Sequence, residues 1–565
     1  MATTATRRSR SILDKLAVPD SEGYSVKELY LNNHDLKPVE LERRTWRFIN
    51  FLNFWMSDAF NINTWQISSA MIVAGLSWWQ AWICVWVGYG LVALFVALNG
   101  RAGAVYHIGF PPYVRASFGI IGAYWPVFNR ALMACVWYAV QAYLGGQCIT
   151  LVLRTLAPSF ATLTNTMSES SGTNTRDFIG FFLFWTLSLP ALWFPVHKIR
   201  HLFTAKAIIV PLAGIGYMAW MIVKAKGIGP IISQPATISG TAWSWAMVNG
   251  IMSAINNFAT LVVNDPDFSR FARKPSDAMW SQIIGIPVSF GFTSLIGILV
   301  SSSATVIYGE TIWSPLDLLH RVLDEDPYAA GPRAAVFFIA LAFSLAQLGV
   351  NIAANSISAG SDLTALFPRF INIRRGSYFC AALALLMQPW QLLSSANKFT
   401  SYLSAYSLFL SSIAGCMMTD YFIVRRGRLS VPDLYTFDKR GHYWYTAGIN
   451  WRCIVAYLSG IIINIVGFVG DVSGKPIPIG ALRIYQLAFF TGFGLSSIVY
   501  YVLCRIWPIP GMETSGWHED LEYEPDMPRP RDEEMKVSVE SGEMEAIGAK
   551  SDKDGIAEHK SYFSH

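Results

Sequence analysis

Twelve apolar runs, each about 20 residues long and able to cross a hydrocarbon layer of about 30 Å, divide this chain of 565 residues. They centre near Phe60, Val87, Tyr138, Trp185, Gly214, Asn256, Phe290, Ala346, Leu385, Leu408, Ile462 and Phe493. In lipid every backbone N–H and C=O must find a partner within the protein, so only helices and closed barrels can span. Runs of this length are about twice what a tilted strand needs, so they predict helices. Composition agrees: 53% of residues are hydrophobic and 14% charged, against about 25% charged in soluble domains. The fold class expected is an all-α polytopic membrane protein. Residues 1–45 and 508–565 form its tails, and 46–507 the twelve-helix domain.

The first 45 residues are polar and mixed in charge, with no apolar stretch before Trp46, so no cleavable signal peptide is expected and the N-terminus should be cytosolic. Basic residues then fall in even-to-odd connections: Arg101 and Arg115; Lys198 and Arg200; Arg270, Arg273 and Lys274; Arg369, Arg374 and Arg375; and Arg425, Arg426, Arg428, Lys439 and Arg440. The positive-inside rule makes those connections, and both tails, cytosolic. The opposite loops are Ser/Thr-rich (SESSGTNTRD, 168–177) or acidic (310–326). The net charge of +5 therefore reflects topology and gives no argument for a nucleic-acid partner.

The seven cysteines (84, 135, 148, 380, 416, 453 and 504) lie in or beside apolar spans without C-x-x-C spacing, and read as small buried hydrophobes. No histidine sits mid-span, and no phosphate-binding glycine loop or nucleophile elbow is present. No cofactor is expected, and the chain is not read as an enzyme. The charged, proline-bearing tail from Pro508 should be disordered. It is either a passive solvated segment or a carrier of phosphate and ubiquitin acceptors that would engage ubiquitin ligase machinery.

Amides and acids at membrane depth are costly and mark pathways or sites. The first run, NFWMSDAFNINTWQISSAM, crowds Ser57, Asp58, Asn61 and Asn63 at its centre, and the sixth carries Asn256 and Asn257. Both read as helices broken midway, where freed backbone groups line a cavity. Broken spans five apart fit two inverted five-helix repeats, the leucine-transporter-like architecture, with two further helices at the end. In the third span Trp137 and Gln141 are four apart and share a face, as do Asn351 and Asn355 in the eighth. An indole and several neutral amides suit a small, planar, uncharged ring. No Lys or Arg is expected at that depth to pair with an anion, and Arg130 reads as a snorkelling or helix-pairing residue.

Four stretches then resemble a known family: NDPDFSRFARKP after span six, NIAANSISAGSDLTALFPRFINIRRG in span eight, MQPWQ in span nine and MTDYFIVRRGRL leaving span ten. They are similar to the nucleobase-cation symporter family, in its fungal branch of uracil, allantoin and uridine permeases, from about Trp46 to Arg505. The resemblance implies a bundle of spans 1, 2, 6 and 7 that rocks against a scaffold of spans 3, 4, 8 and 9. It places Trp137 as the stacking indole, Gln141 and Asn355 as amides on the substrate, and Asn61 at the first break. Asn257 and Phe258 fall on a Gly-Trp pair of the sodium-driven hydantoin relative. Span ten would supply an outer gate, with Phe399 and Leu403 as candidates.

Two departures from that pattern carry further expectations. Gly349 and Val350 stand where sodium-coupled relatives offer hydroxyls, leaving Ser57 as a nearby oxygen donor; a hard cation wants several oxygens, so a proton is the preferred coupling ion. Asp58, or one of Asp265 and Asp267, would carry it. Phe258 stands where uracil-preferring members are expected to have lysine, which favours allantoin over uracil. The function expected is proton symport of allantoin first and uracil next at the plasma membrane, with uridine or thiamine as alternatives. A non-transporting nutrient receptor and a membrane-embedded enzyme are the rivals of another class.

Overall fold

The computed structural model describes residues 17–18, 26–33, 35–194, 200–512 and 516–519. Lys198, the Arg200 side chain, residues 1–16 and the proposed acceptors of the C-terminal tail beyond residue 519 lie outside the described residues. Among those described, nine helices are long and apolar enough to cross a membrane, and the only β pairing is two isolated bridges. The other three expected spans are present as shorter or broken helices. Span one is split into Phe48–Ala59 and Ile62–Val73, span four is Thr175–Trp193, and span nine is Ile373–Ala384.

Span nine corrects the sequence reading, which centred it on Leu385. Its helix is 12 residues, about 18 Å at 1.5 Å per residue, and Leu385 only caps it. Pro389 disfavours helix at the residue before it, and Gln388 there takes a left-handed conformation (φ 46°). The apolar run continues, but its second half is turn.

The bundle and scaffold are visible as packing. Span seven (Pro275–Tyr308) packs on span two (Trp78–Tyr106) and both halves of span one, and span six packs on span two. Span three (Tyr124–Leu156) packs on spans four, eight and nine. Span five (Arg200–Lys224) touches spans one, seven and eight, and so joins the two groups. Spans ten (Ala396–Thr419), eleven (Trp451–Ser473) and twelve (Ala488–Ile506) form a third cluster along span six.

Connections sort to two faces. The N-terminal segment meets four even-to-odd connections: Val39 N–H donates to His107 O (2.8 Å), Arg270 to Asp35 O (3.1 Å), Val18 N–H to Arg369 O (2.9 Å) and Tyr435 to Leu36 O (2.8 Å). On the opposite face Trp390 donates to Ser171 O (2.8 Å), and Arg154 donates to Asp324 and to His320 Nδ1 (both 2.7 Å). Burial and the charges of Arg154 and Arg176 push His320 down to about 3, so its ring stays neutral and can accept from that arginine.

Candidate functional site

The break in span one follows from Asn61. Its side-chain oxygen accepts from Thr64 N–H (2.9 Å), capping the second half, and its Nδ2 donates to Asp58 O (2.5 Å) at the end of the first. One amide thus satisfies groups on both sides of the gap, as capping requires. Span six breaks far less than its two asparagines suggest. Gly240–Asn257 gives way to Ala259–Asn264 through Phe258 alone, which stays in the right-handed helical region (φ −92°, ψ −1°) and donates to Ile255 O (3.0 Å). The helix tightens there by one turn and does not unwind.

Because consecutive helical residues point about 100° apart, the pair divides. Asn257 accepts from Asn63 (3.0 Å) and donates to Tyr89 (3.4 Å), tying the two breaks together. Asn256 turns to span ten, donating to Ser404 (3.1 Å) and accepting at its carbonyl from Tyr406 (2.8 Å).

A cavity of about 50 Å³ lies between spans one, three, six and eight. Of the residues expected at a ligand, Asn61, Trp137, Gln141, Asn257 and Asn355 line it, as does Asp58. Gln141 Oε1 and Asn63 Oδ1 are buried there without a hydrogen-bond partner. Such groups each cost about 1–3 kcal/mol when left bare, and a ligand that donates to them recovers that energy. Working pockets for small molecules are about 300–1,000 Å³, so this is a closed state that must widen to admit one.

Four expectations need correction. Asn351 is absent from the lining: it donates to Tyr138 O (3.2 Å) and accepts from Asn355 (3.1 Å), so it orients Asn355. Phe258 is also absent from the lining. It is 0% exposed and enclosed by Trp55, Tyr89 and Phe290, with ring centroids 5.6, 5.5 and 4.9 Å away. A lysine there would be a charge among aromatic rings; Phe258→Lys should therefore lose most surface expression, measured by tagged-protein imaging, and gain no uracil uptake. Near-normal expression would contradict that packing.

The third correction concerns the gate. Phe399 and Leu403 are buried away from the cavity, Phe399 against Trp313 (5.9 Å), whereas Tyr402 and Tyr406 of the same span lie 5.7 and 6.2 Å from the Trp137 ring. The fourth is the expectation of no basic residue at this depth. Lys206 of span five is 1% exposed and donates to Ser57 O, the carbonyl beside Asp58 at the end of the first half-helix. Its stem lies over Gly349, where any Cβ would come 2.7 Å from Lys206 Cδ. Arg130 also lines the cavity; it pairs with Asp362 and donates to Ser358 O, linking span three to span eight.

Asp265 and Asp267 face elsewhere. Asp265 accepts from Gln282 (2.7 and 2.8 Å) against Gly100, within the bundle, and Asp267 accepts from Phe110 N–H (2.9 Å). Of the three candidate carboxylates, Asp58 alone lines the cavity. All seven cysteines are buried and free.

Residues 38–492 match the family model described as permease for cytosine/purines, uracil, thiamine, allantoin. Three permeases of Saccharomyces cerevisiae are similar along most of their length. The uridine permease is 47% identical (86% of this chain, 77% of that protein), the uracil permease 45% (92% and 84%) and the allantoin permease 44% (95% and 87%). Among solved structures, Mhp1, a nucleobase-cation-symport-1 family transporter in a closed conformation with bromovinylhydantoin bound, superposes with a TM-score of 0.67. It is 21% identical and covers 85% of this chain and 97% of its own. The fold is therefore shared, the leucine-transporter-like pair of five-helix repeats with two helices added.

Proposed function

Since this chain belongs to the family of permeases for cytosine/purines, uracil, thiamine and allantoin, we propose that it imports a small uncharged heterocycle, allantoin first and uracil next. It is a multi-pass membrane transporter; in this reading it works at the plasma membrane with both termini cytosolic, as the basic connections suggest. The three permeases named above differ in substrate at nearly equal identity, so likeness does not rank them. The unpartnered acceptors Gln141 Oε1 and Asn63 Oδ1 do. They ask for N–H donors, and allantoin, a hydantoin ring bearing a ureido group, offers more of these than uracil. Phe258, buried behind the wall, no longer contributes to that ranking.

The coupling ion in this reading is a proton. Lys206 places a fixed ammonium on the Ser57 carbonyl, at the negative end of a half-helix where a metal cation would otherwise gather oxygens. Asp58 interacts electrostatically with it and faces the cavity, so proton exchange at this pair would alter the tie between spans one, five and eight. Lys206→Met keeps the stem and removes the charge. It should cut concentrative uptake at least about tenfold and flatten its pH dependence while substrate exchange across the membrane persists. Unchanged accumulation and pH profile would remove Lys206 from coupling.

The overall test is uptake of radiolabelled allantoin, uracil, uridine and thiamine into cells lacking their own permeases, with a protonophore and with sodium replaced. Accumulation of allantoin abolished by the protonophore is expected. Binding without accumulation would indicate a receptor, and sodium-dependent uptake that survives proton collapse would overturn the coupling.

A further inference from the structure

A second cavity, about 320 Å³, opens on the face opposite the N-terminal segment. It lies between the outer half of span one (67–74), the first half of span six (246–253), the start of span ten (396–404) and the ends of spans eleven and twelve. It is larger than the central cavity and more polar than a lipid-facing cleft. Asn397, Ser401, Ser404, Asp471, Tyr485 and Gln486 contribute side chains. Tyr485 is 3% exposed and its hydroxyl has no partner, an orphaned polar group in the lining. Asp471 is the only charged residue in the lining, so the site disfavours anions. Arg483 donates to Gln486 (2.9 Å) and lies over Trp245, outside the lining.

The partition between the two cavities is polar as well. Asn256 donates to Ser404 of the outer cavity, and its Oδ1 is buried without a partner. Tyr406 holds the carbonyl of Asn256 while its ring stands at Trp137. A molecule arriving from this face meets amide, hydroxyl and carboxylate groups before it reaches the tyrosines over the central site.

We propose that this vestibule is a second, outer binding site for a small neutral heterocycle rich in N–H donors, with Asp471 and Tyr485 as its anchoring polar groups. The ligand class rests on the transport reading above; the site itself rests on the cavity. Two N–H groups of a ureide can face one carboxylate, and the phenol can donate to a ring carbonyl.

The test is protection from labelling. In an otherwise wild-type chain, whose own cysteines are buried, Asn397→Cys puts a reporter thiol at the rim for a membrane-impermeant maleimide. Millimolar allantoin or uracil should slow labelling about threefold at a ligand concentration of roughly twice the dissociation constant. That protection should persist when Trp137→Ala disables the central site. It should vanish with Asp471→Ala and weaken with Tyr485→Phe, which keeps the ring and the packing. Labelling unaffected by either compound, or protection that disappears with Trp137→Ala, overturns the outer site; protection that survives both Asp471→Ala and Tyr485→Phe overturns its anchors. If cells accumulate neither compound while protection persists, the transport reading fails and the outer site stands.

Discussion

Trp137→Ala should weaken substrate binding about 100-fold, close to 2.7 kcal/mol, in a transporter that still reaches the membrane. Stacking of a flat ring on an aromatic side chain is worth about 1–3 kcal/mol by alanine substitution. Trp137 adds to this by holding the adjacent Tyr402 and Tyr406 of span ten, the latter bound to the backbone of span six. Truncation therefore removes the platform and loosens its cover. Trp137→Phe should keep most of the affinity, since the ring face survives. Affinity is read as half-saturation in uptake and as competition by unlabelled allantoin and uracil. Normal half-saturation in the alanine variant would mean that the cavity between spans one, three, six and eight is not where substrate sits.

That site was partly legible in the sequence, for a local reason. Trp137 and Gln141 share a face because they lie four apart in an unbroken helix, and Asn61 marks a break because a capping amide acts on residues three away. Asn351 and Asn355 share the same spacing, yet only Asn355 lines the cavity. The backbone from Asn351 to Ser356 is π-helical, which rotates the faces relative to an α-helix. Phe258 was misplaced because two adjacent asparagines suggest unwinding, whereas the helix yields by a single residue and keeps Phe258 on its far side. On span ten the reading chose Phe399 and Leu403, while the residues beside Trp137 are the equally spaced Tyr402 and Tyr406. Spacing alone cannot distinguish stripes on neighbouring faces.

Lys206 was illegible for a different reason. Nothing within KAIIVPLAG announces a partner, because the Ser57 carbonyl and the gap at Gly349 come from spans one and eight. A lysine near the start of an apolar run reads as a snorkelling end. Only tertiary packing shows that its ammonium points inward. Substrate contacts along one helix can thus be read from a sequence, while a charge that ties three helices together cannot.

The other large effect concerns the cytosolic side of the cavity, where Arg130 and Asp362 are 2% and 0% exposed and form an ion pair between spans three and eight. In the amide orientation that satisfies its neighbours, Asn264 of span six accepts from Arg130 (3.0 Å) and donates to Thr260 O (2.8 Å). Arg130 therefore joins scaffold to bundle below the cavity, where the path must open for release. Breaking a buried pair by removing one partner costs about 3–5 kcal/mol, because the other charge is stranded, whereas removing both is often close to neutral. Arg130→Met should thus lower surface expression and thermal stability severely, as should Asp362→Ala if the arginine is left without its counter-ion. Combining Arg130→Met with Asp362→Asn should restore stability to within about 1 kcal/mol. Uptake should not return with it, since the double variant still lacks the link to Asn264 that closes the inner side. Stability that falls additively, with no recovery in the double variant, would show that the pair is not coupled; uptake restored together with stability would show that it glues helices without closing the path.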